Sequence, residues 1–249
     1  MGVGRRRGER RMQRREGDAY VEGGEAASKT RELARALLAS GRKRCCVRAR
    51  EGRKETAEEG SARGSLTLGL CVQQAVGIDF SQHFTDAAKQ MQERGEMEYE
   101  AHIQGDIHEV RRVKLPEGAK PANVRFQQGD ACNLSESLGK FDAVFATNLL
   151  CRLPEPQKFL TEIGGFINAG GILALVSPYS WLEEYTAKDK WIGGVRDAQG
   201  QPVDSFSVLA KLLARDFELV ERQDYPFMIR EHERKYQWGV SDGTFWKRK

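Results

Sequence analysis

Aromatic residues are nearly absent from the first quarter of the chain. Of the 21 aromatic residues in the 249-residue sequence, only Tyr20 falls within residues 1–65. In the same segment Lys and Arg outnumber Asp and Glu by 18 to 10. A segment with so few large apolar side chains cannot bury enough surface to offset the entropy that it loses on ordering. We therefore expect residues 1–65 to be a basic, disordered tail and residues 66–249 to form the folded domain.

Long apolar runs are absent as well. No stretch of the roughly 18 apolar residues that a membrane-spanning helix needs occurs in the sequence, so we expect no membrane-spanning helix. The arginine-rich run at 5–15 has the charge to contact nucleic acid or an anionic membrane. A solvated tail is the simpler interpretation of this run, so nucleic acid is not expected as a partner.

Cysteine and histidine are too few and too scattered for a metal or disulfide framework. The five cysteines are odd in number and never form a C-x-x-C pair. The four histidines are likewise spread along the chain without metal-ligand spacing. These patterns predict no bound metal and favour a reducing, cytoplasmic location.

What the sequence does contain is an ordered series of short apolar runs, each ending on a polar residue. Helical stretches lie between these runs, as in a parallel α/β sheet. Open sheets of this kind bind ligands at the carboxyl ends of their strands. Asp79, Asp130 and Asn148 are therefore expected to converge on one crevice. The runs are GIDFS at 77–81, VRFQQGDACNL at 124–134, FDAVFATNLL at 141–150 and GGILALVSPYSW at 170–181.

Turn and cap residues predict the elements between the strands. Ser81 is placed to cap a helix that ends at Gly95. A second helix is expected from the prolines at 154 and 156 to about residue 168, where Gly170 and Gly171 would stop it. The remaining expectations are a loop at 96–120, a lid at 179–204, a helix at 205–215, and strands at 217–225 and 237–247 that form an antiparallel pair at a sheet edge.

This pattern resembles the class I S-adenosylmethionine-dependent methyltransferases, which have a doubly wound, Rossmann-like sheet with a C-terminal antiparallel strand pair. The shared features are an acid after the second strand and the GDA triplet after the third. The resemblance implies that Asp79, followed by Phe80, binds the ribose of S-adenosylmethionine. It also implies that Asp130 and Ala131 bind the adenine.

A closer resemblance is to the 4-mercaptohistidine N-methyltransferases of ovothiol biosynthesis. It extends from Val76 to Lys249 and includes the motifs FDAVFATNLLCRLPEP, SPYSW and YPFMIREHERKYQW. It implies methylation of the imidazole ring of a small thiol-histidine. We assign Asn148 to the methionine end of the cofactor or the acceptor, and Asn148 and Tyr179 as the catalytic candidates. Tyr179, Trp181 and Arg230 are the candidates for binding the acceptor, Arg230 through the carboxylate of the amino acid.

One part of the methyltransferase pattern is missing from the sequence. The family has a strand, a Gly-rich loop and a helix before the strand that ends in the ribose-binding acid. LTLG at 66–69 is the nearest candidate for the first strand, but it lies too close to Asp79 to leave room for a loop and a helix. A frameshifted or mis-spliced gene model would account for both the missing loop and the unusual composition of residues 1–65. Two alternatives stay open at this point: a catalytically silent, methyltransferase-like binding protein, and a nicotinamide-dependent dehydrogenase, which the lack of G-x-G-x-x-G before the acid disfavours.

Overall fold

The computed structural model describes residues 44–48, 73–115 and 117–249. Within these ranges the chain forms one seven-stranded sheet, two small antiparallel hairpins and three α-helices. The strands are β1 (Arg44–Arg48), β2 (Gln74–Asp79), β3 (Glu96–Gln104), β4 (Ile107–Lys114), β5 (Val124–Gln128), β6 (Phe141–Thr147), β7 (Ile167–Ser177), β8 (Val195–Arg196), β9 (Pro202–Val203), β10 (Phe217–His232) and β11 (Lys235–Arg248). The helices are α1 (Gln82–Arg94), α2 (Pro156–Glu162) and α3 (Ser205–Leu213).

The main sheet has the strand order β10-β11-β7-β6-β1-β2-β5. The five strands from β7 to β5 run parallel, and β11 pairs antiparallel with both β7 and β10. The sheet is therefore a parallel α/β sheet with an antiparallel pair at one end, as the sequence predicted.

Alternate residues of β2 pack into different cores, which shows that the sheet is covered on both faces. Val76 and Ile78 belong to the larger apolar cluster, which also contains residues of α2 and α3. Ala75 belongs to a second cluster with Ala88 and Met91 of α1. Helices on both faces make this a doubly wound fold.

The first strand lies where the sequence predicted disorder. β1 occupies the middle of the sheet, paired with β2 on one side and β6 on the other. The prediction of a disordered tail at 1–65, with a domain that starts at residue 66, is therefore wrong for residues 44–48. Five residues suffice for a central strand even in a charged segment. Residues 1–43 and 49–65, the predicted helix at 28–41 and the LTLG segment lie outside the described residues.

The position of β1 also removes the spacing problem seen in the sequence. Residues 49–73 join the end of β1 to the start of β2. A parallel crossover needs about a dozen residues or more, so this connection is long enough for a loop and a helix.

Helix α1 agrees with its predicted caps. The Ser81 Oγ accepts a hydrogen bond from the Phe84 N–H (3.3 Å), and Gly95 ends the helix in the left-handed conformation with φ of 74°. The predicted loop at 96–120 is instead the hairpin of β3 and β4, whose Met97 and Val113 are buried beside α1. Charged residues on the outer face of this hairpin concealed the few inward apolar positions that make it a sheet.

Two further expectations about the elements are wrong. Helix α2 ends at Glu162, and Gly170 and Gly171 lie inside β7 rather than stopping a helix. Gly170 has φ of 70°, and the pairing of β6 with β7 shifts between Phe141 and Ala143, so the glycines form an irregularity in the strand.

Candidate active site

The carboxyl end of β2 carries the first predicted cofactor ligand. Asp79 is the last residue of this strand, and its side chain is buried, with 6% exposed. The Asp79 Oδ1 accepts a hydrogen bond from the Ser81 N–H at 2.9 Å. The turn into α1 thus holds the carboxylate at the carboxyl edge of the sheet, where this fold binds its ligands.

The second predicted acid lies at the neighbouring strand end. Asp79 pairs with Gln128 at the end of β5, and the Gly129 N–H donates to the Asp79 carbonyl oxygen at 2.9 Å. Asp130 follows directly. Its side chain accepts hydrogen bonds from the Cys132 N–H (2.8 Å) and from the Asn133 side-chain amide (2.6 Å). The structure therefore places Asp79 at the end of β2 and Asp130 two residues past the end of the adjacent strand β5, each fixed by local bonds.

The residues beside these acids differ in exposure. Phe80 is 55% exposed, and its carbonyl oxygen accepts a hydrogen bond from Gln128 Nε2 (3.1 Å). Ala131 is buried with 3% exposed. A Cβ atom on Gly129 would approach Ile78 Cγ2 to 2.8 Å, so a residue without a side chain is needed between the two strand ends. Two carboxylates, an exposed aromatic and a close backbone approach suit the ribose and adenine of a nucleoside.

Asn148 and Tyr179 lie just past the ends of β6 and β7, as predicted. They are the two non-glycine residues with positive φ among the described residues, at 51° and 48°. The Asn148 N–H donates to the Val176 carbonyl oxygen (2.6 Å), which ties the two strand ends together. Backbone strain of this kind persists where the surroundings fix it and is concentrated at functional sites.

Each of these strained residues is bonded to β11. The Ser241 Oγ donates to Asn148 Oδ1 at 2.8 Å, and the Tyr179 hydroxyl donates to Asp242 Oδ2 at 3.0 Å. Arg222 completes the group through a 2.9 Å bond from its Nε to the other oxygen of Asp242. Burial, followed by the negative charge of Asp242, raises the pKa of Tyr179 above its usual range, so the phenol stays protonated.

Trp181 does not form the acceptor wall that the sequence predicted. Its side chain is buried, with 8% exposed, and its Nε1–H donates to the Ser205 Oγ at 3.0 Å. Its ring stacks at 6.2 Å on that of Trp191. The expectation of a lid at 179–204 is wrong for this part of the segment, because Trp181 packs in the larger apolar core together with Ile192.

Arg230 is also separated from Tyr179. It pairs with Tyr236 in the hairpin of β10 and β11, six residues along β10 from Asp224, which lies opposite Asp242. Six strand residues span about 20 Å. The structure thus does not place Arg230 beside the Tyr179 hydroxyl.

The same hairpin extends past the sheet and meets the hairpin of β3 and β4. The last pair between β11 and β7 joins Asp242 to Ser177, and beyond it β10 and β11 pair only with each other among the described residues. Near its tip the His232 ring lies 5.5 Å from that of His102, which stacks at 5.1 Å on His108. Three histidines that the sequence showed as scattered are therefore brought together by two hairpins.

The sequence reasoning missed Arg222, Ser241 and Asp242. Ser241 and Asp242 precede a buried stretch of β11 at residues 243–246, and Ser241 itself is 1% exposed. The strand sequence KYQWGVSDGTFWKR mixes polar and apolar residues throughout, so no local signal marked this pair. Their partners are 93 and 63 residues away in the chain, at Asn148 and Tyr179.

Two negative findings concern the described residues only. No group of three or more His, Cys, Asp or Glu side chains in this part of the chain has the arrangement needed to hold a metal ion. Within the same ranges, no helix is both long enough and apolar enough to cross a membrane.

The sheet, with its reversed strand between β7 and β10, is that of the S-adenosylmethionine-dependent methyltransferase fold. The family model for the methyltransferase domain matches residues 58–175. This range begins in the connection before β2 and ends two residues before the end of β7. S-adenosylmethionine is the cofactor that this match implies. No curated protein sequence is significantly similar to the chain.

Solved structures show the same fold at low sequence identity. An S-adenosylmethionine-dependent methyltransferase from Methanosarcina mazei has a TM-score of 0.51 and 16% identity, covering 83% of this chain and 92% of that one. The YcgJ protein of Bacillus subtilis has a TM-score of 0.50 and 13% identity, covering 88% and 98%. A third solved structure concerns the conversion of a disulfide bond into a thioacetal group during echinomycin biosynthesis. It has a TM-score of 0.53 and 14% identity, covering 87% of this chain and 80% of that one.

Proposed function

We propose that the protein is an S-adenosylmethionine-dependent N-methyltransferase that methylates the imidazole ring of 4-mercaptohistidine. The observation that carries the cofactor half of this proposal is the pair of acids, Asp79 and Asp130, held at adjacent carboxyl ends of β2 and β5. The acceptor half rests on the resemblance of the sequence from Val76 to Lys249 to the 4-mercaptohistidine N-methyltransferases. This resemblance includes the SPYSW segment and the C-terminal hairpin.

The residues at the two acids have the chemistry to hold the nucleoside. Asp79 would accept hydrogen bonds from the two ribose hydroxyls, and charge-assisted bonds of this kind contribute about 1.5–3 kcal/mol each. Asp130 would accept from the adenine amino group, while the Ala131 N–H meets the ring. Asn148 would contact the methionine end, since it follows the carboxyl end of β6, which β1 separates from β2.

S-adenosylmethionine supplies an electrophilic methyl group on a sulfonium. The methyl carbon–sulfur bond breaks with its electron pair remaining on sulfur, a bond forms from carbon to a ring nitrogen, and the ring proton is released to water. Alignment of the two reactants supplies most of the rate enhancement in such a displacement. We assign this alignment to Asn148 and Tyr179, whose backbone is held in strained conformations at the ends of β6 and β7.

The test begins with cofactor binding to the full chain. S-adenosylhomocysteine at 100 times its dissociation constant should stabilise the protein by about 2.7 kcal/mol, seen as a rise in melting temperature. Asp79→Asn should abolish this rise. Asp86→Asn is the matched control, because Asp86 lies in α1 and bonds to the exposed Gln82 side chain instead.

The acceptor is tested by incubating the protein with S-adenosylmethionine and 4-mercaptohistidine and measuring the methylated product by mass spectrometry, with histidine as a comparison. Methylation of 4-mercaptohistidine in preference to histidine is the expected result. Binding without methylation of either would favour the methyltransferase-like binding protein. The absence of any thermal shift in the unmodified protein would refute cofactor binding.

A further inference from the structure

Two consecutive residues of β11 reach the ends of two different strands. Ser241 bonds to Asn148 after β6, and Asp242 bonds to Tyr179 after β7. Consecutive strand residues point to opposite faces of a sheet. Ser241 and Asp242 therefore hold the two candidate catalytic residues from opposite faces of one strand.

The strain in Asn148 and Tyr179 requires such support. A non-glycine residue with positive φ has a sparsely populated backbone conformation, and this conformation persists only when its surroundings fix it. Here the Asn148 N–H donates to the Val176 carbonyl oxygen (2.6 Å) and the Tyr179 N–H donates to the Ser177 Oγ (3.2 Å), and these bonds fix the main chain. The β11 residues fix the side chains. Ser241 is 1% exposed, so water does not compete for its bond to Asn148.

The direction of each hydrogen bond decides what the bonded side chain can offer to a ligand. The Ser241 hydroxyl donates to Asn148 Oδ1, which, within the part of the chain that the structure describes, leaves the two N–H groups of the Asn148 amide for another partner. The Tyr179 hydroxyl donates its single proton to Asp242, which leaves lone pairs on the phenol oxygen. Asn148 is thereby set as a donor and Tyr179 as an acceptor.

We propose that Ser241 and Asp242 are positioning residues for methyl transfer, which fix Asn148 as a donor to the cofactor's carboxylate and Tyr179 as an acceptor of a ring N–H from the methyl acceptor. This inference rests on the proposed function. Arg222 assists by occupying the second oxygen of Asp242 and by lying 3.7 Å above the Phe206 ring, so that the carboxylate cannot rotate away from Tyr179.

The first test measures S-adenosylhomocysteine binding by calorimetry in Ser241→Ala. The Asn148 amide is then free to rotate, and affinity should fall by about 3- to 10-fold, the effect of losing one hydrogen bond. Ser241→Thr keeps the hydroxyl and should restore the affinity. A lower melting temperature with unchanged affinity would show that Ser241 has a structural role only and would overturn the proposal.

The second test uses steady-state kinetics of Asp242→Asn with 4-mercaptohistidine. The KM for the acceptor should rise by about 3- to 10-fold while the affinity for S-adenosylhomocysteine stays unchanged. Glu218→Gln, an exposed position on β10 opposite Lys247, is the control and should match the unmodified protein. Equal changes in cofactor affinity and acceptor KM would overturn the division of roles.

Failure of the proposed function is distinguishable from failure of this inference. An unmodified protein that does not bind S-adenosylhomocysteine refutes the proposed function and, with it, the inference. An unmodified protein that binds and methylates, with variants that behave identically to it, refutes only the positioning roles.

Discussion

The Gly129 N–H donates a hydrogen bond to the Asp79 carbonyl oxygen at 2.9 Å. This bond continues the pairing of β5 with β2 by one residue beyond the last strand pair. It sets the distance between the strand end that carries Asp79 and the one that leads to Asp130. The spacing of the two candidate cofactor ligands therefore depends on how closely these backbones approach.

Gly129→Ala should disturb this approach. The new methyl group would lie 2.8 Å from Ile78 Cγ2, and that atom belongs to a buried side chain that cannot move away freely. We expect a loss of about 1–3 kcal/mol of stability, as is usual for overpacking, together with weaker binding of S-adenosylhomocysteine. Urea unfolding and calorimetry measure the two effects. Gly165→Ala is the control, because a Cβ there meets no described residue within 4 Å. Equal effects of both substitutions would contradict the explanation.

Trp181 and Trp238 form a natural pair for testing burial. Trp181 is 8% exposed and bonded to Ser205, whereas Trp238 is 71% exposed on the β10–β11 hairpin. Trp181→Ala should lower the free energy of unfolding by about 3–5 kcal/mol. Trp238→Ala should change it by no more than about 0.5 kcal/mol. If Trp181→Ala left the stability intact and weakened only acceptor binding, Trp181 would line the site after all.

The raised pKa of Tyr179 predicts a dependence of stability on alkaline pH. Burial and Asp242 hold this phenol protonated in the folded chain, while in the unfolded chain it ionises near its ordinary value of 10.0. The stabilisation is therefore fully present below that pH and is lost as the pH rises above it. Above that pH, the free energy of unfolding of the unmodified protein should fall by up to about 1.4 kcal/mol more per pH unit than that of Tyr179→Phe. Parallel curves of unfolding free energy for the two proteins would show that Tyr179 ionises normally.

Deleting residues 1–65 should prevent folding. The deletion removes β1, which pairs with β2 and β6 in the middle of the sheet, and leaves both neighbours with an unpaired edge. A chain that begins at Ser28 keeps this strand and should show a cooperative thermal transition by circular dichroism. A chain that begins at Leu66 should not. Cooperative melting of the chain that begins at Leu66 would show that the sheet forms without β1.

The sequence by itself determined the elements whose signals are local. Ser81 and Gly95 marked both ends of α1 because capping depends on the few residues next to the cap. The apolar run before Asp79 identified β2, since a strand buried on both faces is apolar along its length. The alternation of buried Val124 and Phe126 with polar residues identified β5 at the sheet edge. These signals were sufficient to predict the parallel sheet and the two acids at its edge.

Only the tertiary structure decided the remaining features, because each depends on contacts between distant residues. β1 is a strand through its pairing with β2 and β6, which its charged sequence RCCVR does not reveal. Trp181 is a core residue because Ser205 and Trp191 meet it, although its segment is polar. Ser241 and Asp242 reach Asn148 and Tyr179 because the reversed strand β11 lies next to β7, and that neighbour relationship is set by the packing of the whole sheet.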